Sequence, residues 1–257
     1  AAGEVAALAP GTGAASKGSR RAAVVVQDES APLIKSNSLD GNDGYGILVC
    51  HTARPTLEDN EFQNHSRPAI ALRDKTECVV RGNKLHDNEG FGIIVCDESK
   101  PIIEQNELSR NGRVAVLVKD AAAGTVRGNR LSGNLSVGIL VSDDARPSIE
   151  DNVLSGDHPP HIAFQDRAGG ALRRNRVLAA SAEAAAGPWL AVSGEARPEL
   201  AGQGGVSSSF TDITTDIEMG PGGPQSQPGA SSGVGGDAVD ESPAPKRART
   251  AAEGSES

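Results

Sequence analysis

Six residues at 23-residue intervals carry side chains able to hold a cation: His51, Asp74, Asp97, Asp120, Asp143 and Asp166. Stacked carboxylates would offer the hard oxygen donors that Ca²⁺ takes. Asp is equally a turn residue, whose carboxylate accepts hydrogen bonds from nearby backbone amides. A Ca²⁺ site gathers acids from neighbouring positions of one loop, and only Asp143–Asp144 comes near that. The turn role is therefore expected. The same two acids are the lone candidates for the paired carboxylates of glycoside hydrolysis, which stand ~5–9.5 Å apart in a cleft. Cys50, Cys78 and Cys96 show neither CxxC nor Cys/His metal spacing, so no metal or cofactor site is expected.

These residues sit within a longer-range order. Asn37, Asn60, Asn83, Asn106, Asn129, Asn152 and Asn175 recur at the same interval. Three residues before each Asn stands Ile34, Leu57, Val80, Ile103, Val126, Ile149 or Leu172, and two after it stands Leu39, Phe62, Leu85, Leu108, Leu131, Leu154 or Val177. Ten and twelve residues after the first six come apolar pairs, from Ile47 and Val49 to Ile162 and Phe164. That two-residue spacing belongs to a strand, and a fixed period of this length belongs to a solenoid. No unit supplies the LxxLxLxxN of a leucine-rich repeat. The fold expected is a single-stranded right-handed parallel β-helix over residues 22–202, with seven to eight coils of 23 residues.

Coils stacked at ~4.8 Å bring like positions into ladders. A turn Asn tolerates left-handed backbone and can bond the Asn of the next coil. A second polar ladder follows five residues on: Asn42, His65, Asn88, Asn111, Asn134 and Asp157. Two residues before the Asn the charges alternate as Lys35, Glu58, Arg81, Glu104, Arg127, Glu150 and Arg173. One residue after it, Glu61, Lys84, Glu107 and Arg130 alternate likewise. Opposite charges on neighbouring coils attract, so these groups are expected to be occupied with one another. The last coil is irregular, and Trp189 is placed to help cap it.

Residues 1–21 read as a low-complexity arm, without the apolar core of a signal peptide. Residues 203–257 read as a disordered Gly/Pro/Ser-rich tail that is acidic, with eight acids against three bases. Its "PKRAR" at 245–249 suits a nuclear localisation signal and Ser242-Pro243 a phosphorylation site, giving a cytoplasmic or nuclear expectation. The net charge of −9 argues against a nucleic-acid partner, and no apolar run is long enough for a membrane span.

Units such as "GYGILVC…RPTLEDN" and "GFGIIVC…KPIIEQN" resemble the right-handed β-helix superfamily of carbohydrate-binding and sugar-hydrolase repeats. They alternate with units such as "RPAIALR…CVVRGN". That alternation is most similar to the β-helix domain of F-box-only substrate receptors of ubiquitin ligases. The resemblance covers residues 22–178 and implies the fold; no F-box occurs in the chain. Members that are pectate lyases bind Ca²⁺ between acids and substrate, while the NTD, GHG and RIK signatures of galacturonases are absent here.

Sugar-binding β-helices expose aromatic platforms. Phe62 and Phe164 fall on core positions, leaving Tyr45 and Phe91. Eleven residues after the Asn stand Leu48, Ala71, Ile94, Leu117, Leu140 and Ala163, which alternation turns outward as an apolar stripe. Arg73 and Lys119 flank it, as do Cys50 and Cys96. An exposed apolar stripe implies a partner or a cover from residues 1–21 or 207–219. The expected function is a non-enzymatic protein-recognition or scaffold module. It would dock a protein through Leu48, Ile94, Leu117, Leu140, Arg73 and Lys119, plausibly as the substrate reader of a ubiquitin-ligase-type receptor. A carbohydrate-binding or polysaccharide lyase-like protein is the alternative, and a passive spacer a third.

Overall fold

The structure is a computed structural model that describes residues 21–156, 158–178 and 188–201. The chain divides into Ala1–Ile217 and Glu218–Ser257, and every described residue falls in the first unit. Residues 1–20 of the arm, the tail from 203, the "PKRAR" run and Ser242-Pro243 lie outside the described residues.

The described residues form only strands, turns and bends. Strands of three residues recur because each coil is a triangle, and one polar corner must follow every short apolar edge. The first sheet takes Val24–Val26, Ile47–Val49, Ile70–Leu72, Ile93–Val95, Val116–Val118, Ile139–Val141, Ile162–Phe164 and Leu190–Val192. The second sheet runs from Leu33–Lys35 to Arg197–Ala201, and the third from Ser38–Asp40 to Arg176–Leu178. Within each sheet every neighbour is the next coil, paired parallel in the register the repeat demands: Ile93 opposes Val116, Ile103 opposes Val126, Leu108 opposes Leu131. This is a parallel β-helix.

One apolar column fills its axis. Ile47, Leu57, Phe62, Ile70, Ile93, Ile103, Leu108, Leu131, Ile139 and Phe164 are all fully buried. Trp189 joins this core at the final coil and accepts the Ile162 amide on its carbonyl. The apolar rows before and after the Asn are therefore the core, as their spacing predicts.

The corners differ in one respect from expectation. The repeated Asn is not the left-handed residue. Positive φ falls on the residue before it, at Ser36, Asp59, Gly82, Gln105, Gly128, Asp151 and Arg174. A second left-handed corner precedes the other polar ladder, and a third is the Asp row itself, from Asp28 (φ 63°) to Asp166 (φ 59°). Relieved of the turn, each Asn side chain points inward. Asn83 donates from Nδ2 to Leu57 O (2.9 Å) and Asn106 Oδ1 (3.0 Å), and its own backbone N–H reaches the same Asn106 Oδ1 (2.9 Å). Asn106 repeats the pattern one coil on, with Val80 O and Asn129 Oδ1. Buried corner groups that a sheet cannot pair are thereby satisfied.

The alternation of coil types has a packing cause at one position. Gly124 has φ +100°, and a Cβ there would stand 2.3 Å from Pro101 O. Gly on one coil makes room for Pro on the coil before it.

His65 replaces Asn in the second ladder. It keeps the inter-coil bonds, with Nδ1 accepting from the Asn42 amide at 3.3 Å and its own amide reaching Asn88 Oδ1 at 3.1 Å. Its Nε2 is buried without a hydrogen-bond partner. Burial pushes the ring below its ordinary pKa, and burial does the same to His161. The unfolded chain thus binds protons more readily than the folded one between the two values. Stability is complete above the unfolded value of about 6.5 and falls as pH drops below it.

Two outcomes are expected. Asn106→Ala strips partners from Asn83, Val80 and Asn129 and should cost ~3–5 kcal/mol in urea unfolding, whereas exposed Ser66→Ala should cost under ~1 kcal/mol. Melting curves between pH 7 and 5 should show a loss for the native chain that His65→Asn reduces, since that variant restores the ladder residue. An unchanged loss would assign it elsewhere.

Candidate functional site

The Asp row forms a hydrogen-bonded ladder. The amides of His51, Asp74, Asp97, Asp120 and Asp143 each donate to a carboxylate oxygen one coil on, at 2.6–3.2 Å. Positive φ and these bonds give each Asp the turn role expected of it. Asp143 Oδ2 also accepts from Ser142 Oγ. Asp144 is gripped by two nitrogens of Arg167, whose hydrogen bonds hold its carboxyl below the ordinary range. A general acid requires the opposite shift.

Pairing of this kind recurs over the surface. Glu58 sits between Lys35 Nζ at 2.8 Å and Arg81 Nη2 at 2.6 Å, and hydrogen bonds from both lower its pKa. Arg127 holds Glu104 at 2.6 Å. The alternating charges before the Asn thus pair across coils from Lys35 to Arg127, whereas Glu150 reaches Arg174, outside the row, at 3.6 Å. The row after the Asn differs: Glu61 reaches His86 Nε2 at 3.3 Å instead of Lys84. Sequence inspection also missed the bidentate pairs Arg110–Asp87 and Arg174–Asp151. Both partners of each pair are left-handed corner residues. Adding 23 to each Asp number would have found them.

The aromatic pair is not free. Arg67 lies over the Tyr45 ring at 5.6 Å and Arg113 over Phe91 at 5.3 Å. Each cation, on the next coil, occupies a ring face on which a sugar would stack.

The outward stripe is present in register, with Leu48, Ala71, Ile94, Leu117, Leu140 and Ala163 opposed in succession. Its exposure departs from expectation. Leu48 and Ile94 are half-buried, but Leu117 is 5% exposed, Leu140 and Ala71 1%, and Ala163 0%. The first sheet is thus apolar and dry on both faces over its later coils, because a continuous apolar row is not left in water. At the first coil Val25 remains 51% exposed. The segments considered as covers, 1–21 and 207–219, lie outside the described residues apart from Arg21. Of the flanking cations, Arg73 Nε stands 3.8 Å from Asp97 and Lys119 Nζ 3.2 Å from Asp120.

All three cysteines are free thiols. Burial pushes Cys78 and Cys96 up to about 12 and raises Cys50 as well, with Asp74 adding to the shift at Cys50. Among the described residues, ligand atoms of Cys50, His51 and Asp74 lie within 4.8 Å of one another, a grouping that the spacing of the cysteines does not single out. His51 Nδ1 is also 3.0 Å from Asp28 Oδ1. The grouping was missed because Asp74 joins only through the stack.

Stacked parallel coils, an unbroken axial core and carboxylates turned to structural pairing define a protein of the parallel β-helix class. Residues 17–179, more than half of the 257, match the family described as right-handed beta helix region, and the chain belongs to that family. No curated protein sequence matches. Among solved structures, the crystal structure of alginate lyase from Paenibacillus sp. str. FPU-7 is similar, with TM-score 0.52 and 16% identity over 72% of this chain and 83% of that chain. At that identity the likeness shows the fold alone.

If the acid row is structural, chelating divalent cations with EGTA should leave the melting temperature unchanged. Asp97→Asn, which keeps an acceptor oxygen for the Asp74 amide, should be near neutral, and Asp97→Ala should cost ~1–2 kcal/mol. A melt that falls with EGTA would return the row to Ca²⁺.

Proposed function

We propose that the chain is a non-enzymatic protein-recognition module that takes a partner segment along the outer face of its first sheet. The observation that carries this is the apolar stripe, which no packing within the coil requires. Outward positions of the second and third sheets are largely charged or polar, as at Glu58, Arg81, Glu104 and Lys84. Docking is offered at the N-terminal coils, where Val25, Leu48 and Ile94 keep contact with water. Leu117 and Leu140 continue the row where it is already covered. Arg73 beside the stripe favours an apolar segment with acidic flanks, and Lys119 extends that preference towards the covered coils. Substrate reading for a ubiquitin ligase is the particular role implied by the coil alternation.

A carbohydrate-active role is the second reading, favoured by the fold shared with an alginate lyase. The carboxylate and aromatic candidates for it, Asp144, Tyr45 and Phe91, are engaged by arginines.

The test is quantitative partner capture by the native chain and by Leu48→Glu/Ile94→Glu, two half-buried positions where charge is tolerable to the fold. Partners should be lost by the variant at unchanged melting temperature. Partners indifferent to the change would sink the docking face. Binding on a glycan array, or unsaturated ends released from alginate, would favour the second reading instead.

A further inference from the structure

We propose that Cys50, His51 and Asp74 form a surface binding site for a borderline-soft divalent cation of the zinc class. Three different donors converge there, a sulfur, an imidazole nitrogen and a carboxylate oxygen, all within 4.8 Å of one another. That mixed set excludes Ca²⁺ and Mg²⁺, which take oxygen, and suits Zn²⁺, with a fourth position left to water. Zinc–ligand bonds of about 2.0–2.3 Å require an inward adjustment of the exposed His51 and the half-buried Cys50 and Asp74 side chains. Asp28, one coil earlier, places Oδ1 3.0 Å from His51 Nδ1. A carboxylate on a ligating imidazole fixes the ring and raises its basicity.

The second observation is a break in the repeat. Across the described coils this corner is Asp28, Asp74, Asp97, Asp120, Asp143, Asp166 and Gly194, and only coil two carries a His. His51 has φ 61° like the others and keeps the inter-coil bond of the corner, its Nδ1 accepting from the Asp28 amide at 3.3 Å. What the exchange adds to the row is a nitrogen donor beside a thiol. The neighbouring row carries Cys at 50 and 96, so Cys and His coincide only here. Coil four, with Cys96 and Asp97 but no His, is an internal control.

Ligation through a thiolate displaces the thiol proton to solvent, so binding of the ion should weaken as pH falls.

The experiment is a Co²⁺ titration of the full chain under reducing conditions. It follows the thiolate-to-cobalt charge-transfer band and the visible bands of tetrahedral cobalt, with Zn²⁺ as competitor. One equivalent should bind, the thiolate band should vanish in Cys50→Ser, and Cys96→Ser should leave it intact. His51→Asp restores the corner residue of the other coils, so it should melt like the native chain while binding at least tenfold more weakly. Absence of a thiolate band, its survival in Cys50→Ser, or unchanged affinity in His51→Asp would each overturn the proposal.

Discussion

Everything in this molecule depends on one coil lying squarely on the next. Parallel strands of three residues provide few hydrogen bonds each, and they persist because every strand inside the stack pairs on both sides. The demand is severe at the corners, where the amide of each repeated Asn finds no backbone acceptor and takes the next Asn's Oδ1 instead. Asn answers it because its side chain carries both a donor and an acceptor at the right reach. One Oδ1 takes two donors from the previous coil, as Asn106 does from Asn83, while Nδ2 supplies the next coil and a strand carbonyl. Asp has no such donor.

The same stacking sorts the outside. Side chains on successive coils stand close enough to interact at every outward position, so like charges would repel along the whole column. Opposite charges alternate in the row before the Asn, and Arg–Asp forks tie left-handed corner residues, as at Arg110 with Asp87. The like-charged column, Asp74 to Asp166, is held by backbone amides donating to its carboxylates. The carboxyls of Glu58, Asp87, Asp144 and Asp151, each hydrogen-bonded to a cation one coil away, are held below their ordinary range. The first sheet stands apart, because its outward row is apolar and largely removed from water.

Departures from the repeat are where the molecule has specific character. His65 puts a titratable ring into a ladder that works with uncharged amides, and its Nε2 is left without a partner. His51 puts an imidazole beside a thiol in a row of carboxylates. Each imidazole keeps the inter-coil bond of its row through Nδ1, which accepts from Asn42 at His65 and from Asp28 at His51.

The sequence alone determined the coil, its 23-residue length, the core rows and the inter-coil register, since a stacked solenoid copies its period directly into the chain. It also identified the Asp row as turns and the −2 charges as partners. Tertiary structure alone decided which of two consecutive corner residues is left-handed, because both suit a turn and only the inward path of the Asn side chain separates them. It decided that Leu117 and Leu140, though outward, are dry, because strand alternation specifies direction and says nothing of what lies beyond. It brought Asp74 to Cys50 and His51, because ligand geometry arises from positions one coil apart that no local spacing rule connects.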